Sequence, residues 1–124
     1  MDYFKESLFL HKQLKGKISV QSKFTVRTKE DLSLVYSPGV AAPCLEIAAN
    51  PSSVYDYTMK GNTVAIVTDG SAVLGLGNIG AAAAIPVMEG KGMLFKRFAQ
   101  INAFPICLDT QDTQEIIDTV RRIA

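Results

Sequence analysis

The sequence predicts an α/β fold, a small mixed sheet flanked by helices, with an amino-terminal helix and an extended arm. Three observations carry that prediction. A β-branched run from Thr63 to Thr68 and an apolar run from Ala103 to Leu108 read as strands. Between and after them, apolar residues recur at the three-to-four spacing of helices. At the amino end, Phe4, Leu8, His11 and Leu14 form one face of an amphipathic helix.

Each element has its own signals. The first helix covers residues 2–15, and Gly16 is its stop. Lys17 to Val26 alternates apolar and polar residues, as a short strand or extended arm does. Thr28 with Asp31 three positions later caps a short helix through Leu34. Ser37-Pro38-Gly39 ends it, because proline disfavours helix at the residue before it. A further helix opens at Pro43 and stops before Asn50-Pro51. After the Thr63–Thr68 strand comes Asp69-Gly70, a tight-turn signal, and Ala72 to Leu74 either pairs back or leads into a glycine loop. Helix is expected from about Gly80 to Phe98, interrupted near Pro86 and Gly90. Thr110-Gln111-Asp112 opens a last helix with Ile116, Ile117, Val120 and Ile123 inward. The sequence stops within that helix at Ala124 with no cap, which is what a piece of something longer would show.

With 124 residues, 48% of them hydrophobic and 20% charged, the composition is that of one ordinary soluble globular domain. Thirteen basic against twelve acidic residues leave a net charge of +1, which gives no basic footprint for nucleic acid. Cys44 and Cys107 lie far apart without further ligands nearby, so reduced, buried thiols are expected rather than a disulfide scaffold or zinc site. Residues 1–16 carry too many charges for a signal peptide. The charge-free stretch from Gly70 to Met88 contains four glycines and Pro86, so it reads as a buried interior segment and not as a membrane span.

Gly75-Leu76-Gly77-Asn78-Ile79-Gly80 fits the G-x-G-x-x-G pattern of dinucleotide-binding turns. Against that reading, the first acidic residue at a strand end, Asp109, lies 29 positions past Gly80, where the fingerprint places its carboxylate about 20 residues on. A close-packing structural loop is the other reading.

Two side chains are candidates for proton transfer. Tyr36 stands at the end of an apolar run beside a proline-fixed loop, where a phenol either packs as a wedge or serves as a general acid. Lys91, between Gly90 and Gly92, is either a solvated helix lysine or a base made easier to deprotonate by desolvation. A single histidine, His11, leaves no Ser-His-Asp arrangement, and the carboxylates show no metal-ligand spacing.

Taken together, Val35–Cys44 (VYSPGVAAPC), Val67–Gly80 (VTDGSAVLGLGNIG) and Ile85–Lys91 (IPVMEGK) resemble the amino-terminal domain of the short bacterial malic enzymes. The similarity runs over essentially the whole chain. It implies residues 1–124 as the substrate-side catalytic domain, with the cofactor-binding Rossmann domain outside this chain. It also implies oxidative decarboxylation of malate to pyruvate and CO₂ with NAD or NADP and Mg²⁺ or Mn²⁺, in a cytoplasmic homodimer without membrane or nucleic-acid partners. By the same resemblance, Tyr36 matches the general acid that protonates the enol carbon of enolpyruvate. Lys91 matches the general base for the malate hydroxyl, and it also touches substrate. The glycine loop then belongs to the substrate domain, so no cofactor-binding or metal-binding residue is expected here. Ala72 stands where larger eukaryotic members have an arginine that helps hold substrate. Such a chain is expected to be inactive alone. Two rival readings are a stand-alone nucleotide-binding module using Gly75–Gly80 and a non-catalytic dimerisation domain using the 2–15 helix and the arm.

Overall fold

The computed structural model describes residues 2–124. They fall into two compact units, residues up to Ser19 with Val64–Ala124, and Val20–Thr63.

In the first unit, α1 (Tyr3–Leu14) begins where the Asp2 carboxylate accepts from the Phe4 and Lys5 amides at 3.1 and 3.2 Å. It ends with Lys15 in the left-handed region and Gly16 at φ 104°, the predicted stop. No residue of α1 is buried, and Phe4 is 92% exposed.

Strands β1 (Thr63–Thr68) and β2 (Asn102–Cys107) form a two-stranded parallel sheet, joined by helix α5 (Ala81–Ala99). A parallel pair needs such a crossover, because no tight turn can return the chain to the same end of the sheet. Among the described residues antiparallel pairing is confined to one bridge, Val73 with Gly77, inside the β1–α5 loop. Asp69-Gly70 therefore opens that loop and is not a hairpin turn.

Helix α5 is continuous, whereas the sequence predicts an interruption near Pro86 and Gly90. Proline removes one amide, the donor to the Ala82 carbonyl. Packing offsets that loss. Ala84, Met88 and Gly92 recur every four residues, straddle Pro86 and are the buried positions of the helix. A Cβ on Gly92 would lie 3.3 Å from the Ala103 carbonyl oxygen, so glycine there brings the helix backbone close to β2. The hydrophobic core of this unit is Val73, Ala84, Met88 and Ala103. The charge-free stretch is thus buried only in part: Leu74 is 97% exposed.

The last helix, α6 (Thr113–Ile123), is capped by Asp112, whose carboxylate accepts from the Glu115 amide at 2.9 Å. Ile116 and Val120 are half-buried as expected, but Ile117 and Ile123 are exposed. The inward stripe is narrower than the periodicity implies, because few neighbours pack on α6.

In the second unit, residues 20–27 bend at Lys23-Phe24, form no helix and join no sheet, so the alternation there marks an arm and not a strand. Helix α2 (Lys29–Val35) carries the predicted capping box: Thr28 Oγ1 accepts from the Asp31 amide and the Asp31 carboxylate from the Thr28 amide, both at 3.0 Å. Helix α3 (Ala41–Ala49) opens two residues before Pro43, which occupies its first turn, where an amide has no partner inside the helix. Short helical turns then lead through α4 (Val54–Tyr57) to β1. Gly61 is required there, since a Cβ would meet the Tyr55 carbonyl oxygen at 2.1 Å.

Candidate active site

Tyr36 belongs to the Val20–Thr63 unit and Lys91 to the other. Tyr36 closes α2: its amide donates to the Leu32 carbonyl at 2.9 Å, and its own carbonyl accepts from the Val40 amide at 2.7 Å. The Ser37–Pro38 bond after it is cis, and the Gly39 amide returns to the Ser33 carbonyl at 2.8 Å. A Cβ on Gly39 would lie 2.5 Å from the Leu34 carbonyl oxygen, so glycine lets this turn fold back on α2. The backbone on both sides of Tyr36 is therefore fixed, while its side chain is 66% exposed. The phenol stands out from its helix end and is not a packed wedge.

Lys91 lies in the body of α5 and is exposed, so the desolvated setting imagined for it is not present in this chain. Its stem lines a groove of about 290 Å³ with Leu94, Phe95, Phe98 and Ala99. Those positions recur at helical spacing along the carboxyl-terminal half of α5.

The glycine loop braces itself. The Gly70 carbonyl accepts from the Ile79 and Gly80 amides at 3.1 and 3.2 Å, Val73 donates to Gly77, and Leu76 and Gly77 donate to Val73. Gly70, Gly75, Gly77 and Gly80 all have positive φ, near 71–81°. Only Gly70 is also required by packing, since a Cβ there would lie 2.1 Å from the Gly80 carbonyl oxygen. Six residues separate the end of β1 from Gly75, and the internal bonds engage several amides that a pyrophosphate would need. These residues do not fit a dinucleotide phosphate cradle.

The loop is tied across to the segment after β2 by a reciprocal amide pair: Asn78 Nδ2 donates to Gln111 Oε1 at 3.1 Å and Gln111 Nε2 to Asn78 Oδ1 at 2.9 Å. Asp69, at the carboxyl end of β1, accepts from the Ser71 amide at 2.9 Å and the Ser71 hydroxyl at 2.7 Å, which holds its carboxyl below the usual range. Among the described residues no three His, Cys, Asp or Glu side chains cluster closely enough to hold a metal ion. Cys44 is exposed and Cys107 half-buried, both free, which corrects the expectation of two buried thiols. Burial pushes the Cys107 thiol up.

Sequence reasoning missed the importance of Gly70, which it took only as part of a turn. Nothing in the local pattern signals that its partner is ten residues away. Among the described residues no helix is long and apolar enough to cross a membrane.

These features define an α/β domain built on one parallel strand–helix–strand unit, with a self-braced glycine loop at the carboxyl end of its first strand. The family described as malic enzyme, N-terminal domain, matches residues 15–121. The chain belongs to the malic enzyme family, as its N-terminal domain. The bifunctional malic/malolactic enzyme of Bacillus subtilis is 60% identical over 121 residues, covering 98% of this chain and 30% of that protein. The NAD-dependent malic enzyme of Geobacillus stearothermophilus is 62% identical over 109 residues, covering 88% and 23%. A crystal structure of an NAD-dependent malic enzyme from Thermotoga maritima superposes with a TM-score of 0.91 at 51% identity, over 94% of this chain and 31% of that one. The chain thus spans less than a third of the length of these relatives.

Proposed function

We propose that this chain supplies the proton-transfer residues of a malic enzyme that converts malate to pyruvate and CO₂ with NAD or NADP and a divalent cation, Mg²⁺ or Mn²⁺. The observation that carries the reading is the family match over residues 15–121, which includes both Tyr36 and Lys91. The nicotinamide would take the hydride and the cation would polarise the ketone, both held by residues outside this chain, in a Rossmann domain and its surroundings.

Within that reaction Lys91 accepts the proton of the malate hydroxyl and also touches the substrate. Tyr36 delivers its phenolic proton to the enol carbon once CO₂ has left, and its rigid helix end keeps the hydroxyl aimed. The exposure of both side chains is consistent with a site completed by further polypeptide. The enzyme works as a homodimer in the cytoplasm. The uncovered apolar face of α1, with Phe4 and Leu8 92% and 76% exposed, supports association.

The test joins this chain to the remaining part of the Bacillus subtilis relative in place of that protein's own N-terminal domain. Malate-dependent nicotinamide reduction by the fusion, and none by the 124-residue chain alone, is expected. Metal-dependent pyruvate formation by the chain alone, or a folded fusion without activity, contradicts the proposal. Micromolar binding of NAD or NADP to the chain alone would instead favour the nucleotide-module reading of Gly75–Gly80.

A further inference from the structure

The turn after α1 is fastened to α5 by a set of contacts that the proposed reaction does not use. The Lys17 amide donates to Glu89 Oε2 at 2.9 Å, and the Lys17 ammonium donates to the Pro86 carbonyl at 2.8 Å. A Cβ on Gly16 would sit 3.0 Å from Glu89 Oε1, so glycine at φ 104° lets the carboxylate reach the turn. The same Lys17 ammonium meets His11 Nε2. His11 Nδ1 in turn lies 2.8 Å from the Ser7 carbonyl oxygen, which can only accept. Nδ1 therefore carries the ring proton, and Nε2 offers its lone pair to Lys17.

We propose that His11, Lys17, Pro86 and Glu89 form a pH-sensitive clasp that anchors the arm beginning at Ile18 to α5 and releases it when the imidazole gains a second proton. In the neutral ring Nε2 accepts from Lys17. Protonation puts an N–H on that nitrogen, so donor faces donor and cation faces cation, and Lys17 must leave. The charged groups around the ring are Lys17 from the following turn, Lys12 and Lys15 on and just after its own helix, and Glu89 from α5. Glu89 accepts from the amide of this same Lys17, so a displacement of that residue loosens both attachments to α5. The chain released begins at Ile18 and continues into the Val20–Thr63 unit, where Val20, Phe24 and Val26 are 79%, 44% and 49% exposed.

The test is amide hydrogen exchange by NMR on this chain at pH 8 and pH 5.5, corrected for the intrinsic rate, with the Lys17 amide as reporter. Protection of Lys17 is expected to fall about tenfold between those values, the scale of losing one hydrogen bond to a charged group. His11→Gln, which cannot gain the charge, should remove the pH dependence. Lys17→Met should leave the following arm equally unprotected at both pH values. Nitrogen shifts of the His11 ring at pH 8 should report the Nδ1–H tautomer. Unchanged Lys17 protection in the wild-type chain, a pH dependence that survives His11→Gln, or an Nε2–H tautomer would each overturn the clasp.

Discussion

Replacing Gly70 by alanine should damage this protein far more than replacing any glycine of the G-x-G-x-x-G run. At Gly75 alanine meets nothing within 4 Å, so only its positive φ of 77° matters, at about 1–2 kcal/mol. At Gly70 the same backbone cost applies, and the new Cβ would lie 2.1 Å from the Gly80 carbonyl oxygen. The loop backbone must move, and with it go the bonds from the Ile79 and Gly80 amides to the Gly70 carbonyl. At about 1 kcal/mol net for each bond, Gly70→Ala should cost about 3–4 kcal/mol. Urea denaturation followed by circular dichroism measures both variants, and a difference of about 2 kcal/mol between them is expected. With total stabilities of about 5–15 kcal/mol, that difference is large. Equal losses for Gly70→Ala and Gly75→Ala would refute the reasoning that the loop is braced through Gly70.

Three further outcomes follow from local chemistry. Thr28→Ala removes the acceptor for the Asp31 amide and should cost about 1 kcal/mol by the same denaturation measurement. The Asp31 carboxyl, held low first by the Arg27 amide and then by the Thr28 amide, stabilises the folded chain above the ordinary carboxylate range near pH 4. That contribution fades as pH falls through its lowered folded value, so Asp31→Asn should flatten the acid limb of stability against pH. Iodoacetamide at pH 8 should modify exposed Cys44 before Cys107, whose thiol burial raises, as read by peptide mass mapping; equal rates would contradict that order.

Much of the fold was legible where a signal was local. The Thr28–Asp31 capping box, the stop at Lys15-Gly16 and the β-branched Thr63–Thr68 strand each rest on neighbouring residues and appear where the sequence puts them. What the sequence hid depends on partners distant along the chain. Pro86 reads as a helix break because its lost amide is visible locally, whereas the packing of Ala84, Met88 and Gly92 on β2 is not. Ile117 and Ile123 follow helical spacing, yet periodicity cannot say whether anything lies opposite them. For the candidate site, composition alone left Tyr36 and Lys91 as plausible packing and surface residues. Their assignment rests on the three long motifs and on the family match. The structure adds the rigid turn that presents Tyr36 and the open groove beside Lys91.

The most direct test of the assigned roles uses the fusion with the Bacillus subtilis relative, carrying Tyr36→Phe or Lys91→Ala. Loss of one positioned acid or base lowers a rate by about 10²–10⁴-fold. Each variant should therefore lose that much kcat for malate oxidation while keeping the circular dichroism spectrum and denaturation midpoint of the parent fusion. A variant that turns malate over within a few-fold of the parent rate would contradict the role given to that residue.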